Sequence, residues 1–99
     1  MQDPLTELLQ AALTARQPLI ARLHEEDTNA YRLFNGSSEK RPGLTVDRYG
    51  DLLLIQTFHK PLDGDERVAI ENFYAAAVPG LTTIYNDRSH ANSRVANPL

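Results

Sequence analysis

Arginine and tyrosine are neighbours in two short stretches that are predicted to be strands. Arg32 follows Tyr31, and Arg48 precedes Tyr49. Arginine binds phosphate oxygens and aromatic rings stack on unpaired bases, so a sheet face with these residues could hold RNA. A structural role is the alternative, in which Arg48 pairs with an acidic side chain or binds carbonyl oxygens, and both tyrosines are partly buried. Composition alone favours the structural role.

Further basic residues lie near the predicted strand ends, namely Lys40, Arg41 and Lys60. The chain has 10 Lys and Arg against 13 Asp and Glu, a formal net charge of −3. It therefore has no overall attraction to nucleic acid or to an anionic membrane, and any polyanion must be bound by a local basic patch. The candidates for RNA contact are Arg32, Arg41, Arg48 and Tyr49.

The sequence gives little support for a catalytic, cofactor-binding or metal-binding site. The chain has no cysteine, which excludes disulfides, thiolate zinc sites and a cysteine nucleophile. Its three histidines, His24, His59 and His90, are far apart, and its five glycines form no Gly-rich turn between a strand and a helix. No spacing supports a Ser/His/Asp arrangement. We therefore predict no catalytic, cofactor-binding or metal-binding residue in this chain.

The segment from Arg41 to Asp51 predicts a β-hairpin. Pro42-Gly43 is typical of a turn, because proline fixes φ and glycine allows a positive φ. The next six residues alternate, with Leu44, Val46 and the stem of Arg48 on one face and Thr45, Asp47 and Tyr49 on the other. Gly50-Asp51 then forms a turn into the apolar run that begins at Leu52. Adjacent strand residues point to opposite faces, so we expect Asp47 and Arg48 to have partners elsewhere.

An amphipathic helix is predicted at the start of the chain. Asp3 is expected to cap it, and apolar residues from Leu5 to Leu23 follow helical spacing. Pro18 cannot donate a backbone hydrogen bond, so we expect a kink or two shorter helices. The apolar stripe is expected to pack on the domain's own sheet, with an external partner as the alternative. Residues 24–27 are expected to form a solvated connection.

The remaining pattern predicts three more elements around the hairpin. Tyr31–Asn35 is a predicted strand, Asp63 begins a second helix that Pro79-Gly80 ends, and Thr82–Tyr85 is a further strand. The order α–β–β–β–α–β predicts an α+β fold. It has a small, mostly antiparallel sheet with a central β-hairpin, a kinked N-terminal helix and one helix packed on the sheet. No signal peptide or membrane span is predicted, so cytoplasmic residence is expected.

Thr28–Leu33, Asn35-Gly36 and the run from Pro42 to Asp51, continuing to Gln56, carry a family resemblance. They resemble the region before the catalytic domain in class I S-adenosylmethionine (SAM)-dependent RNA methyltransferases. The group that makes 5-methylcytosine in large-subunit ribosomal RNA is the most similar. The resemblance covers residues 28–87. The Glu-Gly-Leu that this family usually has near the end of the region is replaced by Asn97-Pro98-Leu99.

The resemblance implies an accessory domain at residues 28–87 that helps bind and position RNA, usually rRNA. Residues 1–27 would be an N-terminal helical segment in the place of an RNA-binding PUA domain. Residues 88–99 would be a linker toward the protein's own C-terminal catalytic domain, which lies outside this chain. SAM is expected for the full-length methyltransferase and no cofactor is expected in this fragment.

A hypothesis of another class is a packing or dimerisation module with no direct RNA contact. The leucine stripe of the first helix would be its interface, and the net acidity favours this hypothesis. A self-contained small enzyme is a third hypothesis, with less support from the residues.

Overall fold

The computed structural model describes residues 4–89 and contains the predicted elements in the predicted order. The two helices are α1 (Pro4–Glu25) and α2 (Gly64–Ala77). The strands are β1 (Ala30–Asn35), β2 (Leu44–Tyr49), β3 (Leu52–Thr57) and β4 (Thr82–Asp87). The α+β class is therefore confirmed.

The four strands form one sheet in the order β1-β2-β3-β4. β2 is antiparallel to β1 and to β3, whereas β3 and β4 are parallel. The sheet is therefore mixed, with one parallel pairing that the mostly antiparallel prediction did not specify. Parallel neighbours need a crossover connection, and α2 supplies it between β3 and β4.

The apolar stripe of α1 packs on the domain's own sheet, as predicted. Its residues Leu5, Leu9, Ala12 and Leu13 are buried in the same cluster as the inward-facing strand residues and two residues of α2. α1 continues through Pro18 without interruption, so the alternative of two separate helices is wrong. A bend at Pro18 stays a prediction. The Asp3 cap lies outside the described residues.

The hairpin of β2 and β3 has the predicted turn chemistry. Tyr49 pairs with Leu52, so Gly50 and Asp51 form a two-residue loop, and Gly50 has a φ of 60°. Glycine at the first loop position with a positive φ is typical of a type II′ hairpin turn. The entry turn is also confirmed, since Gly43 has a φ of 88° after Pro42. These two turns fix the register that places Arg48 and Tyr49 at the end of the hairpin.

Strand β1 departs from simple alternation. The register with β2 shifts between Arg32, opposite Asp47, and Phe34, opposite Val46. This β-bulge leaves Leu33 unpaired, and both Leu33 and Phe34 are buried. Arg32 therefore lies on the sheet face away from the helices while the chain after it turns back into the core.

Helix α1 is followed by a residue with a left-handed backbone conformation. Thr28 N donates to Leu23 O at 2.8 Å and Asp27 N donates to His24 O at 3.0 Å. This is the Schellman pattern, with Asp27 at a φ of 60° in the position that usually holds glycine. It reverses the chain abruptly and brings residues 27–29 beside the hairpin turn.

Candidate nucleic-acid interface

The four candidates for RNA contact lie in three different places. Arg32 and Tyr49 share the sheet face that carries no helix, which we call the open face. It also includes Asp47, Leu52, Leu54 and Ile84. Arg48 points toward the helix side, and Arg41 lies in the β1–β2 loop beside α2. The structure therefore brings together only Arg32 and Tyr49.

Arg32 is held by a carboxylate on the open face. Its Nε donates to Asp47 Oδ1 at 2.7 Å and its Nη2 donates to Asp47 Oδ2 at 3.0 Å, a bidentate pair across the two strands. These hydrogen bonds raise the pKa of Arg32 above its ordinary value. The residue Asp47 is only 4% exposed although no helix covers it. Arg32 thus balances a buried charge, and its guanidinium is only partly available to a ligand.

Tyr49 belongs to an exposed apolar strip at the same end of the open face. Tyr49 is 51% exposed, its cross-strand partner Leu52 is 41% exposed, and Ile84 on β4 is 44% exposed. An exposed ring on a sheet can stack on an unpaired base. Tyr49 is the candidate whose exposure best fits contact with a ligand.

Arg48 is half-buried and held by neutral groups. Its Nε donates to Gly50 O at 2.9 Å, its Nη1 donates to Tyr31 Oη at 3.0 Å, and its guanidinium lies 5.8 Å from the centre of the Tyr31 ring. The predicted binding of carbonyl oxygens is therefore confirmed. No carboxylate of the described residues forms an ion pair with Arg48.

Arg41 is part of a clamp on the β1–β2 loop. Its Nη2 donates to Glu66 Oε2, and Glu66 Oε1 accepts from Asp63 N at 3.1 Å in the capping box of α2. At the other end of the loop, Arg16 Nη1 donates to Glu39 Oε2 at 2.6 Å, and Glu39 also accepts from a backbone N–H at 2.7 Å. Arg41 thus has a structural partner that sequence spacing could not reveal.

The two carboxylates of this clamp make folding stability depend on pH. The hydrogen bond from Arg41 lowers the pKa of Glu66, despite burial. Burial opposes ionisation of Glu39, but the hydrogen bonds from Arg16 and the backbone outweigh it and lower the pKa of Glu39. Both carboxyls ordinarily titrate at 4.5, so the unfolded chain binds their protons first as the pH falls. Their stabilisation is present above that pH and is lost through the lower, folded pKa values.

We therefore expect the free energy of unfolding to fall from neutral pH to about pH 3, most steeply below about pH 4.5. Urea denaturation at a series of pH values measures it. Glu66→Gln keeps an acceptor for the cap but removes one titrating carboxyl, so this variant should show a shallower decrease. A stability that is constant or rising over this acid range would contradict the assignment.

Sequence reasoning missed the side chains around Arg48. His24 Nε2 and Tyr31 Oη are hydrogen-bonded at 2.8 Å, so His24 belongs to the group of side chains that fixes Arg48. An open cavity of about 290 Å³ lies beside this group, lined by His24, Asp27, Thr28, Asn29 and Arg48. No sequence signal linked these residues, because the abrupt end of α1 alone brings them to the hairpin.

Residues 4–89 contain no cluster of three His, Asp or Glu side chains that could hold a metal ion. Neither helix in this range is long and apolar enough to cross a membrane.

Comparison with known proteins relates the chain to methyltransferases. No protein-family model matches it. It is 39% identical over 70 residues, 70% of its length, to a ribosomal RNA large subunit methyltransferase from Deinococcus radiodurans, of which it spans 17%. A solved chain from Streptococcus mutans, assigned to the SAM-dependent methyltransferases, has a TM-score of 0.66 and 26% identity, over 85% of this chain and 22% of that chain.

The structure of SMU.776, assigned as a methyltransferase and solved in complex with SAH, gives the same relationship. Its TM-score is 0.67 at 26% identity, over 85% of this chain and 21% of that one. In each comparison the present chain matches only a small part of a longer protein. The chain is thus a homologue of one segment of a ribosomal RNA large subunit methyltransferase, and solved SAM-dependent methyltransferases contain the same fold.

Proposed function

We propose that this chain is the N-terminal accessory domain of a SAM-dependent methyltransferase that acts on rRNA, with cytosine C5 as the methylated position. The domain helps to bind and position the RNA. The observation that carries this proposal is the 39% identity, over 70% of the chain, to a protein named as a ribosomal RNA large subunit methyltransferase.

In this proposal, methyl transfer is catalysed by another domain of the parent protein. The chain matches 17–22% of its relatives, which leaves most of their length for a catalytic domain with SAM. Residues 88–99 would be the linker toward that domain, and the parent protein would work in the cytoplasm. Within the accessory part, α1 shares one hydrophobic core with the sheet, so residues 1–27 and 28–87 act together.

The end of the β2–β3 hairpin that carries Arg48 and Tyr49, which we call the hairpin end, is the part of the surface that best suits RNA. Tyr49 offers an exposed ring on the open face, and the half-buried Arg48, on the opposite face of the same end, has no carboxylate partner among the described residues. Arg32 adds a partly exposed guanidinium on the same face as Tyr49. Stacking and a few positive groups can hold a single strand even on a domain of net negative charge.

Fluorescence anisotropy with labelled single-stranded RNA tests this surface. Tyr49→Ser should weaken binding about 5- to 150-fold, which corresponds to the 1–3 kcal/mol measured for base–aromatic stacking. The matched control is Phe58→Ser, which removes an exposed aromatic ring outside the hairpin end. The double variant Arg32→Gln/Asp47→Asn removes the guanidinium without leaving a buried carboxylate unpaired. Equal RNA affinity in Tyr49→Ser and Phe58→Ser would remove the hairpin end from the proposal.

A packing module is the second candidate, and the apolar strip of the open face favours it. The stripe of α1 is not the best interface for it, because Leu5, Leu9, Ala12 and Leu13 are buried in the domain's own core. Tyr49, Leu52 and Ile84 would form the contact instead. Size-exclusion chromatography with light scattering at several concentrations tests the packing module. A monomer at every concentration argues against self-association.

A further inference from the structure

We propose that the cavity beside Arg48 binds one unpaired guanine base of the RNA. The inference rests on the proposed RNA-positioning function and names a base-binding site on the helix side of the hairpin, away from the open face. The cavity is lined by His24, Asp27, Thr28, Asn29 and Arg48. At about 290 Å³ it suits a single base, since it falls at the lower limit of small-molecule pockets.

The guanidinium of Arg48 is fixed in place and still has hydrogen-bond donors without an acceptor among residues 4–89. Gly50 O and Tyr31 Oη accept hydrogen bonds from Nε and Nη1, and the Tyr31 ring lies against the guanidinium. Within residues 4–89, Nη2 has no acceptor. By contrast, the guanidinium groups of Arg16, Arg32, Arg41 and Arg67 each pair with a carboxylate. A pre-organised cationic donor without a partner is suited to an acceptor on a ligand.

The electrostatic surroundings favour a neutral ligand over a phosphate. Asp27 lines the cavity, and Glu25 and Glu26 precede it in the chain. The C-terminus of α1 adds the negative end of a helix dipole at the same place. An anion would be repelled by these groups, whereas a neutral base with both donors and acceptors would not.

Guanine has the pattern of groups that this lining requires. Its O6 and N7 accept hydrogen bonds, which suits Arg48, and its N2 amino group donates, which suits the Asp27 carboxylate. Asn29 and Thr28 can donate or accept at the cavity wall, and the exposed ring of His24 offers an aromatic surface beside it. Adenine has an amino group where guanine has O6, so it would place a donor toward the guanidinium.

The probes are labelled decauridines with one central guanosine, adenosine or inosine, with anisotropy as the readout on the whole 99-residue chain. We expect the guanosine probe to bind at least about fivefold more tightly than the adenosine probe. Arg48→Gln should abolish that preference. Asp27→Gly, which removes the acceptor and allows the positive φ, should remove any preference for guanosine over inosine, because inosine lacks the N2 amino group.

Arg22→Gln is the matched control, because it removes one positive charge near the same helix end but outside the cavity lining. It should keep the guanosine preference, and circular dichroism shows whether each variant is folded. Binding of all three probes with equal affinity overturns the guanine site alone. An Arg48→Gln variant that weakens every probe to the same extent also overturns it, because that result indicates a phosphate contact. No binding of any probe overturns both this site and the proposed RNA function.

Discussion

Arg32→Ala is expected to lower the free energy of unfolding by about 2–3 kcal/mol. The substitution leaves Asp47, only 4% exposed, without the bidentate partner that balances its charge. Breaking a buried ion pair from one side costs about 3–5 kcal/mol, and the expected loss is smaller because the Arg32 side chain is 46% exposed to water. Urea denaturation at neutral pH measures the loss.

The double variant Arg32→Gln/Asp47→Asn separates charge from packing. It keeps hydrogen-bonding groups on both strands and removes both charges, so it should lose less stability than Arg32→Ala. The comparison matters for function as well. RNA affinity measured on Arg32→Ala alone would mix a lost contact with a damaged sheet. If Arg32→Ala is as stable as the natural chain, Asp47 does not depend on Arg32 and the pair is not structural.

Gly36→Ala is expected to cost about 1–3 kcal/mol, the range of an overpacked site. A Cβ at this position would lie 1.9 Å from Arg41 O and 2.5 Å from Leu44 O. Both are backbone atoms, and Gly36 also donates to Leu44 O at 2.7 Å and accepts from Arg41 N at 3.0 Å. The loop cannot make room without breaking these hydrogen bonds and shifting the residue Arg41 that clamps it to α2.

Gly64→Ala is the matched control for this prediction. Gly64 is the first residue of α2, and an added Cβ there would meet no atom within 4 Å. Alanine has the higher helix propensity, so Gly64→Ala should be neutral or slightly stabilising. Thermal denaturation of both variants compares them. Equal melting temperatures of the two variants would contradict the prediction, because the loop would then accommodate a Cβ at position 36 with little loss of stability.

The hairpin and the capping of α2 were predictable because their signals are local. Pro42-Gly43 and Gly50-Asp51 set the turns through backbone geometry, and Asp63 with Glu66 forms the capping box. Alternation also placed Leu44 and Val46 on the buried face. The β-bulge after Arg32 was not predictable, because two adjacent apolar residues, Leu33 and Phe34, fit several registers equally well.

The partners of the arginines were not predictable, for a different reason. Arg32 pairs with a residue 15 positions away and Arg41 with one 25 positions away, so only the folded topology brings them together. Composition alone favoured a structural role for these arginines, and the structure shows which of them pair with a carboxylate. It leaves Arg48 and Tyr49 at the hairpin end as the candidates with groups still available to a ligand.

The proposed RNA positioning by the hairpin end is tested most directly in the proposed full-length methyltransferase, by the kinetics of methyl transfer from SAM to rRNA. The variant Arg48→Gln/Tyr49→Ser should lower kcat/KM for RNA by about 10-fold or more, while the KM for SAM stays unchanged. A raised KM for SAM with unaltered RNA kinetics would contradict the account, because the hairpin end would then serve the cofactor and not the RNA.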